Sequence, residues 1–291
     1  MFIAGIDGGG THTRLEIRDM ENRTLQRAEF GPFNINSIGE AAFRSLLREV
    51  FAFCGDMAQC ARICFGAAGC SNPRVGQVLE EELICAGFRG EWMLCGDQAI
   101  ALRGAMDGSG IIVIAGTGSI CYGKNDAGET ARSGGYGHLI DDGGSGYALG
   151  REVLSAAVRC MDGRIRDCQI LEAVCVRLNA GPEAIVPFVY SPKTDKSAIA
   201  AFSSIALELA EKGDACAWQI LQQQARELTA LVGAVQSKLG LEDCRIALLG
   251  GLIAHDNPYS RVVAEQMASL GTVIPAAHDA LWGAAQMAWE M

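Results

Sequence analysis

The sequence predicts a layered α/β protein built from two copies of one β-β-β-α-β-α unit, the second copy interrupted by a helical insertion. Three observations carry that expectation. First, the chain opens Phe2-Ile-Ala-Gly-Ile-Asp7-Gly8-Gly9-Gly10-Thr11-His12-Thr13, an apolar run that breaks into a glycine turn and resumes as a strand. Second, Gly110-Ile-Ile-Val-Ile-Ala115-Gly116-Thr117-Gly118-Ser119 repeats the theme, and an offset of 108 residues lays Gly10-Thr11 on Gly118-Ser119. Third, strand-like and helix-like stretches alternate on both sides of that second turn, which implies helices layered on sheets.

The elements follow in order. Strands are expected at 2–7, 13–19 and 24–30. A helix follows over about 38–53, with Ser37 as its cap and Glu40 three residues on. Strand 62–66, helix 74–86, strand 91–95 and a helix from about 98 complete the first copy. The second begins with strands at 111–115, 119–123 and near 129–133, and a helix starting near Gly146. The stretch 164–240 reads as helical, with few strand signals. Strand 245–249, the turn Gly250-Gly251, and helices near 258–270 and 277–290 close the chain. The boundary between copies falls at 108/109, and no Pro/Gly/Ser-rich linker marks it.

Composition narrows the partners. The 291 residues are 49% apolar and 20% charged, with a net charge of −10. Nucleic acid and anionic membrane both need basic surface, so neither is the expected partner. No apolar run approaches the ~20 residues that span a bilayer. The N-terminus lacks a basic n-region, and Asp7 interrupts the first apolar stretch. A cytoplasmic location is expected. The twelve cysteines form no CxxC pair and read as mostly reduced, small buried hydrophobes.

Several segments carry candidate chemistry. Three glycines after a buried strand cost backbone entropy, more than a hairpin needs. Gly8, Gly9, Gly10 and Thr11 can present N–H and hydroxyl donors to phosphate, and Asp7 at the strand end can hold Mg²⁺ through water. Thr117 and Gly118 form the matching turn. It is no dinucleotide fingerprint, because Cys121 stands where the last glycine belongs. Gly118-x4-Gly123-Lys124 lacks the final Ser/Thr of a P-loop. Two such turns facing across a cleft could hold one polyphosphate.

Asp97, at a strand end before a helix, suits either an N-cap or a general base on a substrate hydroxyl. The glycine- and serine-rich stretch Ser133–Tyr147 suits ligand contact, with Tyr136 stacking on a ring and Asp141 or Asp142 binding hydroxyls. His138 reads as structural. Asn34 and Asn36 suit a turn as well as hydroxyl and amide recognition. Gly250 and Gly251 could lie under a nucleoside.

Together these residues resemble the actin–hexokinase–Hsp70 superfamily, and within it the N-acetylglucosamine kinase branch of the BadF/BadG/BcrA/BcrD-type ATPases. Gly5-Ile-Asp-Gly-Gly-Gly-Thr-His-Thr13, Ile114-Ala-Gly-Thr-Gly-Ser119 and Gly134-Gly-Tyr-Gly-His-x4-Gly-Gly-Ser-Gly-Tyr147 carry the resemblance. Gly250-Gly251 and Ala280-Leu-Trp-Gly-Ala-Ala285 add to it. It implies two ribonuclease H-like domains, 1–108 and 109–291, around a nucleotide cleft. The terminal helix could pack back on the first domain.

It further implies an ATP- and Mg²⁺-dependent kinase acting on an amino-sugar 6-hydroxyl, most simply N-acetylglucosamine. Asp97 would be the base. Asp7 would place the metal. Gly8, Gly9, Gly10, Thr11, Thr117, Gly118, Gly250 and Gly251 would bind ATP. Asn34, Asp97, Tyr136, Gly137 and Asp142 would line the sugar pocket. A homodimer is the family habit.

The chain departs from the branch at three points. Asp141-Asp142-Gly143-Gly144-Ser145 replaces the usual Gly-Asp-Glu-Gly-Ser. Tyr136 replaces a Trp. Phe65-Gly-Ala-Ala-Gly69 lacks a serine. The sugar therefore stays open among N-acetylglucosamine, glucosamine, N-acetylmuramic acid and other amino sugars. The alternative is an ATP-driven activator of a 2-hydroxyacyl-CoA dehydratase or benzoyl-CoA reductase, which would carry an iron–sulfur cluster, but its Cys-Gly-Gly type motif is absent here. A sugar-sensing regulator would need an added domain.

Overall fold

A computed structural model describes residues 1–166 and 169–291. The chain divides into two compact units, one of residues 1–108 and 276–291, the other of residues 109–275. The segment 276–291, which the sequence reading assigned to the second domain with its helix packing back, thus lies in the first unit.

In the first unit, strands β1 (Phe2–Gly8), β2 (Thr13–Arg18) and β3 (Thr24–Phe30) form an antiparallel meander. The chain then runs through α1 (Ile35–Ile38), α2 (Glu40–Cys54), β4 (Cys60–Ala67), α3 (Pro73–Cys85), β5 (Glu91–Cys95) and α4 (Asp97–Ala105). The sheet order is β3-β2-β1-β4-β5, with β1, β4 and β5 parallel.

Strand β1 is buried on both faces. Ala4 and Ile6 join Phe43, Leu47 and Leu79 in one core, while Ile3 joins Ile100, Ala284 and Ala288 in another. That sandwiching explains the unbroken apolar run that opens the chain. The exposed pattern of β3 fits a solvated edge.

The second unit repeats the plan with β6 (Gly110–Ala115), β7 (Ser119–Lys124), β8 (Thr130–Gly134), β9 (Cys244–Leu249) and β10 (Gly271–Ile274). Its order, read from β8, is β8-β7-β6-β9-β10, matching the first sheet strand for strand. The sequence reading passed over β10, a four-residue strand whose side chains are only partly covered. Between β8 and β9 lie α5 (Gly146–Met161), α6 (Ile170–Leu178), α7 (Ile185–Val189), α8 (Lys196–Ala200), α9 (Ser203–Glu211) and α10 (Ala215–Leu239). Helix α11 (Pro258–Met267) connects β9 to β10, and α12 (Ala280–Glu290) ends the chain.

The expected Ser37 cap is corrected. Gly39 occupies the N-cap of α2, and Asn34 caps the separate short helix α1 by accepting from the Asn36 N–H. The Ser37 hydroxyl instead donates to the Asn34 carbonyl. Gly39 at φ 78° breaks the backbone between the two helices, so no helix runs through it.

Helix α12 seats on β1 and α4 through glycine. A Cβ at Gly5 would lie 2.2 Å from the Ala285 nitrogen, and one at Gly283 would lie 2.0 Å from the Ile100 carbonyl oxygen. Beside this contact, Arg18 is 2% exposed and donates to Glu16 at 2.6 Å, with Asn22 and Gln286 taking further hydrogen bonds. A buried ion pair needs that full set of partners.

This docking yields a paired prediction. Gly283→Ala should destabilise the protein by roughly 1–3 kcal/mol through overpacking. Gly233→Ala, in the middle of α10 with open space around its Cβ position, should be neutral or stabilising by up to about 1 kcal/mol. Denaturant unfolding of both variants measures the contrast. Equal effects would contradict the glycine seat.

Candidate functional site

Parallel strands end together, and in open α/β sheets ligands bind at those carboxyl ends. In the first unit the edge consists of Gly8, Ala67 and Cys95, tied by the Ala68 N–H donating to the Gly8 carbonyl at 2.9 Å.

Three glycines follow Asp7 for different reasons. A Cβ at Gly8 would lie 2.5 Å from the Phe33 ring. Gly9 donates to the His12 carbonyl and accepts from the Phe33 N–H, so its backbone is committed. Gly10 has open space around it, and Thr11 is exposed. The turn therefore offers Gly10 and Thr11 outward, while Gly8 and Gly9 fix its shape.

Asp7 is held by Arg14, whose guanidinium donates to Oδ2 at 2.6 Å and also reaches Asp279 at 3.0 Å. Oδ1 of Asp7 has no hydrogen-bond partner among the described residues. No group of three or more His, Cys, Asp or Glu that could cage a metal occurs among them either. One carboxylate oxygen fits a Mg²⁺ that keeps its waters and takes its other ligands from phosphate.

Asp97 is the first residue of α4, and Gly96 rather than Asp97 is the N-cap. The residue opens to solvent at the strand edge, yet enough protein surrounds its carboxyl to raise the pKa above 3.8. Desolvation is the main cause. The backbone N–H of Gln98, donating to Oδ1 at 3.0 Å, opposes the rise, and the charge of Asp7 adds to it. That environment makes the carboxylate a stronger base than a fully solvated one. Asn34 lies on the same edge, next to Gly69: a Cβ at Gly69 would be 3.0 Å from Asn34 Oδ1.

In the second unit, Gly116-Thr117-Gly118 bridges β6 and β7. The Gly116 N–H donates to the Gly118 carbonyl at 2.9 Å, and the Gly146 N–H donates to the Gly116 carbonyl at 2.8 Å. Thr117 is exposed. A cavity of about 390 Å³ is lined by Gly116, Thr117, Gly146, Ser197, Ala201 and Gly251, among others. Gly250, at φ 89°, would place a Cβ 2.4 Å from the Ala115 carbonyl oxygen, so its role is to let the β9 turn press against β6.

The glycine-rich loop before α5 is pinned from inside. Ser119 Oγ donates to the Gly143 carbonyl at 2.7 Å, Tyr259 OH donates to the Gly144 carbonyl at 2.8 Å, and Gln224 accepts from the Gly144 N–H. Asp142, expected in the sugar pocket, is 3% exposed. Its Oδ1 accepts from the Ser119 N–H at 3.3 Å and its Oδ2 from Lys196 Nζ at 2.8 Å. The structure thus commits it to the Gly118-Ser119 turn. Tyr136 is exposed beside Arg132, Gly137 sits at φ 93°, and His138 packs edge-on against Tyr147.

Lys196 is the group that the sequence reading missed. Its ammonium would lie 2.9 Å from a Cβ at Gly118, a cation at the rim of a phosphate-type turn. A single lysine inside a helical stretch carries no motif, so no sequence signal marks it.

Ten cysteines among the described residues are free thiols, and burial pushes Cys54 and Cys60 up to about 12, so both stay protonated at neutral pH.

A duplicated α/β fold with a glycine turn at the strand ends of each unit is an arrangement that suits phosphate ligands. The BadF/BadG/BcrA/BcrD ATPase family matches residues 4–288, and the chain belongs to that family. Use of ATP follows from that membership. The N-acetylmuramic acid/N-acetylglucosamine kinase of Clostridium acetobutylicum is 34% identical over 268 residues, 88% of this chain and 87% of that protein. Glucosamine kinase GspK of Vibrio cholerae is 26% identical over 86% of this chain and 85% of its own. A solved Chromobacterium violaceum protein assigned as an N-acetylglucosamine kinase covers 98% of both chains with a TM-score of 0.77 and 23% identity, a likeness of fold.

Replacing Lys196 by Met should weaken ATP binding about tenfold, the scale of one charge-assisted hydrogen bond. Calorimetric titration with ATP measures it. A variant that melts lower but binds ATP unchanged would assign Lys196 to Asp142 alone.

Proposed function

We propose that the protein transfers the γ-phosphate of ATP to the 6-hydroxyl of an amino sugar, with N-acetylglucosamine the simplest substrate. One observation carries the reading: Asp97 stands with a raised pKa at the carboxyl edge of β1, β4 and β5, on the edge that also holds Asp7 and Asn34. A 34% identical relative named for two such sugars supports the substrate class.

Asp97 accepts the hydroxyl proton as oxygen attacks phosphorus, and its partly desolvated carboxylate is more basic than one in open water. Asn34 orients the sugar. Thr117, Gly118 and Gly251 hold ATP in the second unit, with Gly250 shaping the turn and Lys196 adding charge. Gly10 and Thr11 give the first unit's donors, and Gly8 and Gly9 set their position. Tyr136 and Gly137, in the loop before α5, are the second unit's candidates for sugar contact, and Asp142 there supports Lys196. Mg²⁺, held through Asp7 and the phosphates, would neutralise charge on the transferring group. The protein acts as a homodimer on a free sugar in the cytoplasm.

Asp97→Asn should lower kcat by about three orders of magnitude or more, as loss of a general base does, while ATP binding stays within about twofold of the original. Equal loss of both would remove the base role.

The pH dependence has a fixed sign. Only ionised Asp97 accepts a proton, so activity falls as pH drops through its pKa. Burial raises that pKa, so the acid limb of kcat/KM should lie above the ordinary 3.8. A limb at or below 3.8 would contradict the desolvated carboxyl.

A further inference from the structure

The glycine turn of the first unit is stapled across its base. Asp7 and Arg14 flank it, and the antiparallel register of β1 and β2 sets the two directly opposite each other. Residues so paired carry their side chains on one face of the sheet. The Arg14 guanidinium meets a single carboxylate oxygen, donating to Asp7 Oδ2 from Nη2 at 2.6 Å and from Nε at 3.2 Å. Asp7 Oδ1 accepts no hydrogen bond among the described residues. Pairing with Arg14 thus occupies half of the carboxylate and leaves the other half available.

The remaining arm of the guanidinium goes elsewhere. Nη1 donates to Asp279 Oδ2 at 3.0 Å. Asp279 is itself a fixed point. Its Oδ1 caps α12 by accepting from the Trp282 N–H at 2.9 Å. The two residues before it, Ala277 and His278, donate their N–H groups to the Ala105 and Gly104 carbonyls at 2.9 and 2.8 Å. A Cβ at Gly104 would lie 2.1 Å from the Asp279 carbonyl oxygen, so a glycine in α4 lets this segment lie flat against the helix. Helix α4 begins at Asp97. Arg14 therefore ties the Asp7 carboxylate to the framework that carries Asp97. Arginine suits the task, because its planar fork can meet two acids at once and keeps its charge.

We infer that Arg14 is a positioning residue with two effects on Asp7: it anchors the carboxylate to the N-terminus of α12, and it moderates the hold of that carboxylate on a divalent cation. This rests on the proposed kinase reading, in which Asp7 and the phosphates hold Mg²⁺. An unpaired carboxylate would attract the metal more strongly but could turn about its side-chain bonds. A paired one attracts it less and stays in place. For phosphate transfer the second property counts for more, because a misplacement of about 1 Å can cost up to about a hundredfold in rate. The Arg14 side chain is 40% exposed and that of Asp7 15%, so solvent screens the charge effect and it stays modest.

Two variants separate anchor from charge. Arg14→Met removes both. Asp279→Asn keeps the α12 cap, since asparagine caps as well as aspartate, and leaves Arg14 on Asp7 without its second acid.

The test has a binding arm and a rate arm, each on the full chain, with thermal melting to confirm folding. Calorimetric titration with ATP, with Mg²⁺ and with the metal chelated away, gives the factor by which Mg²⁺ tightens ATP binding. That factor should rise about threefold in Arg14→Met and stay within about 1.5-fold in Asp279→Asn. Metal-free ATP binding should stay within about threefold in both. In the rate arm, kcat with N-acetylglucosamine should fall about tenfold in Arg14→Met and at least about threefold in Asp279→Asn, with the sugar KM within about twofold. A factor unmoved or lowered in folded Arg14→Met, or no tightening by Mg²⁺ in the original protein, would overturn the moderating role. An unchanged kcat in folded Asp279→Asn would overturn the anchor. Loss of metal-free ATP binding by about tenfold in Arg14→Met would make Arg14 a phosphate ligand and overturn the positioning role. If the original protein transfers no phosphate to any sugar, the kinase reading falls, and the binding arm still decides what Arg14 does to Asp7.

Discussion

The rest of this structure depends on parallel strands that end together at one edge. In the first unit β1, β4 and β5 stop at Gly8, Ala67 and Cys95, and the hydrogen bond from the Ala68 N–H to the Gly8 carbonyl locks two of these ends in register. Because side chains alternate along a strand, a slip of one residue would turn Asp7 away from its pairing with Arg14 and shift Gly66 off Ile100. Burial of β1 on both faces forbids that slip. Core packing and functional geometry are therefore one constraint.

Upon that edge the electrostatics divide two acids. Asp7 has Arg14 at 2.6 Å and stands paired. Asp97 has a backbone N–H and no cation, and its neighbour Asp7 adds negative charge, so its proton is held more tightly. Two carboxylates on one edge thus suit different tasks, one to sit near phosphate and metal, the other to take a proton. In the second unit the same plan carries different chemistry: the Gly116–Gly118 turn sits beside the Lys196–Asp142 ion pair, where the first edge holds Asp97 without a cation.

Much of this was legible in the chain. The repeat of an apolar run into glycines marked both first strands, because buried strands and tight phosphate turns leave a combined trace of periodicity and composition. Family membership and the two mixed sheets agree with that reading. What stayed hidden has physical reasons. Strand β10 is short and only partly covered, so it carries no alternation. The short helix α1, which ends at Gly39 just before α2, went unread, since four residues leave no periodic signal. Asp142 is buried against Lys196, 54 residues on, and only the packing of the helical insertion brings the pair together.

The most direct test of the central claim is phosphorus NMR of the products formed from ATP and N-acetylglucosamine with Mg²⁺. The account predicts a new phosphomonoester resonance coupled to the two C6 protons, growing in step with ADP and absent without sugar. ADP formed with inorganic phosphate alone, at a rate indifferent to the sugar, would contradict it and turn attention to an activator-type ATPase and its iron content.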